Sequence, residues 1–238
     1  MNRTSALSRQ HRLPSAGAAV GLMACLAVLG VAAAAPAGAA VTKVPLGTTE
    51  QYAVLAGQGI TNTGATTIKG DIGSYPDGSV TGQSSIVLTG TNRGNTAVTQ
   101  GAKDDLVEAY NSAAAAPDGA TPPEAAPPDL GGQTLTAGAY NRASIMQLTG
   151  TVTLDAENNP NAVFIFQAGS GLTINPNAVV ALTRGAQACN VFWQVTSSAT
   201  LGVDTAFAGS ILASTSITVS AGVAVTGRML ARDGAVTR

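Results

Sequence analysis

The sequence predicts a mainly β chain wound into a β-solenoid, with one long α-helix packed alongside. Two observations predict the coils. The stretch Val54–Ile72 aligns without a gap on Ile211–Met229, so that Leu55 falls on Leu212, Ala56 on Ala213, Ile60 on Ile217, Thr61 on Thr218, Ile68 on Val225 and Gly70 on Gly227. An adjacent copy lies 18 residues earlier: Ala199-Thr200-Leu201 precede Ile217-Thr218-Val219 by that step, as Phe207 and Gly209 precede Val225 and Gly227. A period of this length in β-branched residues and Gly marks a solenoid, whose coils bury their inward side chains only by stacking on their neighbours. A third observation predicts the helix. Between Asn95 and Ala116 the β-alternation stops, and Val98, Ala102, Leu106, Ala109 or Tyr110, and Ala113 recur at three- and four-residue steps.

The elements follow in order. Arg3, Arg9 and Arg12 precede a long apolar run, Val20 to Ala35, closed by Ala37-Gly38-Ala39. This is the layout of a secretory signal peptide, residues 1–39, which leaves 40–238 as a single exported domain. Cleavage removes His11, the single histidine, and Cys25, so Cys189 stands alone. Its setting, Ala188-Cys189-Asn190-Val191-Phe192, predicts a buried, inert thiol. Nine Lys and Arg then face 13 Asp and Glu, a net charge of −4 that argues against nucleic acid as a partner. Charged residues make up 11% of the chain, well below the roughly 25% of ordinary globular proteins, so hydroxyls and small methyls must cover much of the surface.

The first coil opens at Tyr52, Tyr75-Pro76-Asp77-Gly78 reads as a turn, and Ser85–Thr89 as a short strand. In the helix (95–116), Asn95 or Thr96 is the N-cap, and Lys103, Asp104, Asp105 and Glu108 fall mostly opposite the small apolar stripe, which suits close packing on a flat sheet. The Pro-rich stretch over 117–129 reads as a surface loop. Beyond it come short strands at Val152–Leu154, Val163–Phe166, Leu172–Ile174, Val179–Leu182 and Val191–Val195, with Asn158-Asn159-Pro160-Asn161 and Asn175-Pro176-Asn177 as turns. The bulky residues of Val163–Phe166 and Val191–Trp193 mark either the thickest core or the surface beneath the helix.

Strand alternation places a column of threonines on one face. With Ile60, Leu172, Leu201 and Ile217 directed inward, Thr61, Thr173, Thr200, Thr218 and, beside Val236, Thr237 point outward. Gly59, Gly171, Ser198, Ser216 and Ala235 run next to them. Neighbouring strands repeat at about 4.7–4.9 Å. Thr is also an ordinary strand residue, being β-branched, so a column of it arises in any solenoid by repetition.

Four long motifs carry a resemblance: Leu130–Tyr140 (LGGQTLTAGAY), Asn161–Gln167 (NAVFIFQ), Gly185–Gly202 (GAQACNVFWQVTSSATLG) and Gly227–Thr237 (GRMLARDGAVT). Together they resemble the microbial ice-binding-like family of secreted antifreeze-type proteins, over essentially the whole mature chain. The resemblance implies a discontinuous right-handed β-solenoid of triangular cross-section, in which the N- and C-terminal segments contribute separate coils and the helix lies along one face. It implies adsorption to ice through a flat Thr/Ser/Ala face by Thr61, Thr63, Thr173, Ser198, Thr200, Ser216, Thr218, Ala235 and Thr237. Thr63 enters because Thr63-Gly64-Ala65-Thr66, like Thr89-Gly90-Thr91-Asn92, matches a short motif tied to ice contact in part of the family. Where the family often has an apolar residue, this chain has Arg238, which predicts a frayed final strand.

Enzymes on such solenoids need clustered carboxylates or basic groups in a groove. Here Asp71, Asp77, Asp155, Glu157, Asp204 and Asp233 do not recur at coil spacing. Without histidine, His-activated nucleophiles and the usual zinc sites are excluded. The expectation is a secreted, extracellular, non-catalytic monomer that needs no cofactor or metal, whose partner is ice or its ordered water. The alternative is an adhesive cell-surface solenoid without ice activity.

Overall fold

The computed structural model describes residues 41–117 and 126–238. The residues read as a signal peptide and most of the Pro-rich loop lie outside them. In chain order the strands are β1 (Tyr52–Thr61), β2 (Thr66–Ile68), β3 (Asp71–Thr81) and β4 (Ile86–Leu88). The helix α1 (Ala97–Ala114) follows. Then come β5 (Thr134–Thr136), β6 (Gly138–Arg142), β7 (Met146–Leu148), β8 (Thr151–Asp155), β9 (Phe164–Ala168), β10 (Leu172–Ile174) and β11 (Val179–Thr183). The last are β12 (Val191–Val195), β13 (Ala199–Leu201), β14 (Ala206–Ala213), β15 (Ile217–Val219), β16 (Ala224–Ala231) and β17 (Val236–Thr237).

Every strand pairing is parallel, and the pairings sort the strands into three faces of a solenoid. The first stacks β7, β10, β13, β15, β17 and the last residues of β1 and β3. The second stacks β6, β9, β12, the second halves of β14 and β16, and the first halves of β1 and β3. The third carries β5, β8, β11 and the first halves of β14 and β16, with β2 and β4 as a separate pair. The solenoid is discontinuous: β1, early in the chain, pairs with β16 and β17 at its end. The repeat register holds in space. Leu55 and Leu212 lie in one column with Leu230 between them, and Ile60 and Ile217 in another with Val236 between.

Strands β14 and β16 each run across two faces and bend at Gly209 and Gly227, which pair with each other. A Cβ on Gly227 would stand 1.9 Å from the Gly209 carbonyl oxygen, so this corner admits only glycine.

The bulky motifs serve both roles open to them. Along the second face one set of side chains points in: Phe166 stacks on Trp193 with ring centroids 4.0 Å apart, flanked by Tyr140 and Phe207. The Trp193 indole N–H donates to Ala208 O at 3.1 Å, so this core polar group is satisfied. The alternate set, Ile165, Phe192, Leu212, Leu230 and Leu55, points out and is buried beneath α1 with Ala102, Leu106, Ala109, Tyr110 and Ala113. At 18 residues, α1 is about 27 Å long. Six inter-strand steps span roughly 29 Å, so the helix carries the chain back along the stack to the coil where β5 begins.

Thr96 is the N-cap, its side chain accepting from the Thr99 N–H. At the other end Gln167 Nε2 donates to the carbonyls of Ala113, Ala114 and Ala116 at 2.8, 3.1 and 3.0 Å, supplying donors that a helix C-terminus otherwise lacks.

Five expectations are corrected. Val98 is 56% exposed, and Thr99 takes its place on the buried stripe, accepting from the Tyr52 hydroxyl at 3.3 Å. Lys103 is buried, because its ammonium donates to Ala231 O at 2.7 Å and also to Arg232 O. Tyr75–Gly78 is not a separate turn but part of β3, which rounds its corner through register shifts against β1 while keeping its ladder. Cys189 is an exposed free thiol, lifted by a single 3-10 turn over Ala188–Asn190. The last strand is not frayed: Arg238 N donates to Thr61 O at 2.9 Å, and Thr63 N donates to Arg238 O at 2.8 Å.

Candidate functional site

The first face is built from three-residue strands, each inserting two side chains and exposing one. Met146, Leu148, Leu172, Ile174, Ala199, Leu201 and Ile217 are buried. The residues between them stand in unbroken register: Gln147, Thr173, Thr200, Thr218, Thr237, Thr61 and Thr81. All five threonines expected in the column are therefore brought together. Gln147 and Thr81 extend it by one position at each end. Both were legible in principle, since Met146-Gln147-Leu148 and Val80-Thr81 repeat the in–out alternation.

Backbone hydrogen bonds continue the ladder one residue earlier, from Met146 N to Gly171 O, Leu172 N to Ser198 O, Ala199 N to Ser216 O and Ile217 N to Ala235 O. Gly171, Ser198, Ser216 and Ala235 thus form the neighbouring column, as expected. The two columns differ in what their hydroxyls do. Ser198 Oγ lies 2.7 Å from Thr215 Oγ1, and Ser216 Oγ accepts from Ala235 N at 3.3 Å. The serines stitch one coil to the next. The hydroxyls of Thr61, Thr173, Thr200, Thr218 and Thr237 make no hydrogen bond among the described residues, and are left for water.

Thr63 stands apart. It follows β1 at the corner leading to the third face, and its hydroxyl donates to Arg238 O at 2.6 Å. No side chain from Thr173 to Thr81 or in the neighbouring column is ionised; Asp129 stands in register beyond Gln147, its carboxylate accepting from Gly131 N and Thr149 N. At the other end Arg238, next after Thr237, is turned off the face by an Nη1 donation to Thr66 Oγ1 at 2.7 Å. The third face is less uniform. Thr151, Val179, Ala206 and Ala224 share one register there, but an Arg184–Asp155 ion pair stands at its edge and no strand pairing joins β16 to β2. Of the carboxylates considered for catalysis, Asp71, Asp155 and Asp233 are each paired with an arginine: Arg93, Arg184 and Arg232.

The geometry can be set beside known proteins. The family described as "Ice-binding-like" matches residues 54–237. This chain belongs to the ice-binding-like family. An ice-binding protein of Nostoc sp. (strain HG1) is 44% identical over 193 residues, covering 81% of this chain and 70% of that protein. One from Flavobacterium frigoris (strain PS1) is 31% identical over 212 residues, covering 79% and 72%. Among solved structures, an ice-binding protein from an Antarctic biological consortium superposes with a TM-score of 0.75 at 42% identity, over 82% of this chain and 88% of that one. The ice-binding protein of the Antarctic ascomycete Antarctomyces psychrotrophicus gives 0.79 at 33% identity, over 82% and 95%. The ice-binding-like match begins in β1 and ends in β17, the two strands that pair to join the N- and C-terminal coils.

Proposed function

We propose that this protein adsorbs to ice through the threonine face and thereby slows ice growth or recrystallisation. The carrying observation is the column Thr173–Thr200–Thr218–Thr237–Thr61, in register on adjacent strands with unpartnered hydroxyls. The methyls, repeating at about 4.8 Å, hold water in cages, and the hydroxyls anchor that water by hydrogen bonds. Because the β-ladders on either side already fix the backbone, ordering this layer costs little conformational entropy in the protein. An ion on the face would hold its own hydration shell against that order, and none stands within the threonine row from Thr173 to Thr61.

The names and structures of the relatives support this reading, and Ser198, Ser216 and Ala235 complete the contact surface beside the threonines. We read the protein as non-catalytic, exported by residues 1–39 and acting extracellularly as a monomer. Thr63, held at the corner, contributes to the rim.

The test is Thr218→Tyr in the mature chain, with recrystallisation inhibition and thermal hysteresis measured beside unfolding. The exposed site leaves stability within about 0.5 kcal/mol, while most of the ice activity is lost because the ring lifts the face off the lattice. A native chain that folds yet leaves ice growth unchanged overturns the proposal and leaves the adhesive solenoid in its place.

A further inference from the structure

The threonine row is flanked, on the side away from the serines, by another outward column. Two residues past Gln147, Thr173, Thr200 and Thr218 stand Thr149, Asn175, Gly202 and Ser220. The residues between them, Leu148, Ile174 and Leu201, are buried, so alternation turns the next ones outward. The parallel ladder does not stop at the threonines. Asn175 N donates to Leu148 O at 2.9 Å, Gly202 N to Ile174 O at 2.8 Å and Ser220 N to Leu201 O at 2.9 Å. The column therefore keeps the coil spacing and runs about 6.7 Å from the threonine row, two residues along each strand. Beyond it the backbone turns the corner, with Asn177 and Asp204 in left-handed conformations at φ 60° and 57°.

The side chains of this column are short and uncharged, and their contacts keep them low. Asn175 Nδ2 donates to Thr149 Oγ1 at 2.8 Å. This lays the amide along the stack, and its Oδ1 makes no hydrogen bond among the described residues. A Cβ on Gly202 would stand 2.7 Å from Pro176 N, so the step above Asn175 is bare backbone. Two carboxylates mark the margins. Asp129 Oδ1 accepts from Thr149 N at 2.8 Å at the lower end. Asp204, round the corner, lies against Gly222 of the next coil.

We propose that Asn175, Gly202 and Ser220 form a third row of the ice-contact surface, with Thr149 anchoring its lower end, so that the ordered water spans three outward columns and ends at the Asn177 corner. The proposal rests on adsorption through the threonine face. Asn175 is its centre: the tethered amide offers Oδ1 to the same water layer that the Thr173 hydroxyl anchors. Asn177, two residues on, lies outside the contact.

The test pairs two isosteric substitutions in the mature chain, Asn175→Asp and Asn177→Asp, with recrystallisation inhibition, thermal hysteresis and melting temperature measured across pH. Each adds a carboxylate without adding bulk, and Asp tolerates the left-handed backbone at 177. At neutral pH Asn175→Asp should need a several-fold higher concentration to arrest recrystallisation, because the carboxylate keeps its own hydration shell within the ordered layer. Its activity should return as pH falls below about 4 and the group is protonated. Asn177→Asp should match the native chain throughout. Asn175→Thr, uncharged and of the same make as the neighbouring row, should keep native activity. If Asn175→Asp matches the native chain while Thr218→Tyr is inactive, the proposal is overturned and the threonine row is the edge of the contact. Equal losses in the two Asp variants overturn it too, since the charge would then act from a distance. So does an equal loss in Asn175→Thr, which would trace the effect to the turn rather than to hydration. A native chain inert towards ice is a different failure: it removes the adsorption reading itself, and no variant then differs from it.

Discussion

The threonine face and the helix-covered face are made by the same coils, with the same parallel ladders and spacing. They differ in what alternation turns outward. On one face the outward side chains are Thr61, Thr173, Thr200, Thr218 and Thr237, open to solvent; on the other they are Leu55, Ile165, Phe192, Leu212 and Leu230, sealed by α1. The backbone thus specifies only a flat surface of fixed repeat. The outward residues decide whether that surface stabilises the protein or meets water. Substitutions on one face should be felt in stability, and on the other in ice activity.

Phe192→Ala should break the comparison on the stability side by the largest margin. The ring is fully buried between the sheet and α1. Removing it costs about 3–5 kcal/mol by lost transfer energy and the cavity left behind, to be read from denaturant unfolding. Activity per folded molecule should be unchanged, because the threonine column lies on another face. Gln167→Leu should cost less, about 1–3 kcal/mol, because it removes the side-chain donor from the Ala114 and Ala116 carbonyls and leaves Ala113 O with backbone N–H groups alone. Hydrogen exchange should show the loss confined to the last helical turn.

Lys103 sharpens the same contrast through pH. Burial pushes its pKa down from 10.5 to about 8; the Asp233 carboxylate opposes this shift and the Arg232 guanidinium adds to it. The unfolded chain therefore holds this proton between about pH 8 and 10.5 while the folded chain has released it. Below that window the buried charge works against folding, and stability rises as pH climbs through it. The melting temperature should increase from pH 7 to 10, and Lys103→Met should flatten that slope. An equal slope in the variant would assign the effect to other groups.

The threonine column was legible because two periods compound. Alternation of two fixes which residues face out, and the coil repeat fixes which of them stack, so Thr61, Thr200 and Thr218 could be aligned from the chain alone. What needed three dimensions was whatever happens at corners and ends. Thr63 fits a local motif yet sits where the chain turns. Cys189 has apolar neighbours but rides on a 3-10 turn that lifts it out. Lys103 reads as a surface charge until β16 brings two carbonyls to it.

The smallest effect is the most direct test of the column as a unit. Gln147 occupies the outward position of β7, in register with Thr173. Its side chain is exposed and makes no hydrogen bond among the described residues, while its backbone is already held by Leu130 N and Pro128 O. Gln147→Thr therefore leaves stability within about 0.5 kcal/mol, and favours the strand if anything, since Thr is β-branched. It replaces a long, mobile amide by a methyl and a hydroxyl at the same spacing, and lengthens the unbroken threonine row by one step of about 4.8 Å. If water is ordered by the row as a whole, recrystallisation inhibition should increase modestly, at an unchanged melting temperature. If activity does not change, β7 lies outside the contact, and the ice surface ends at Thr173.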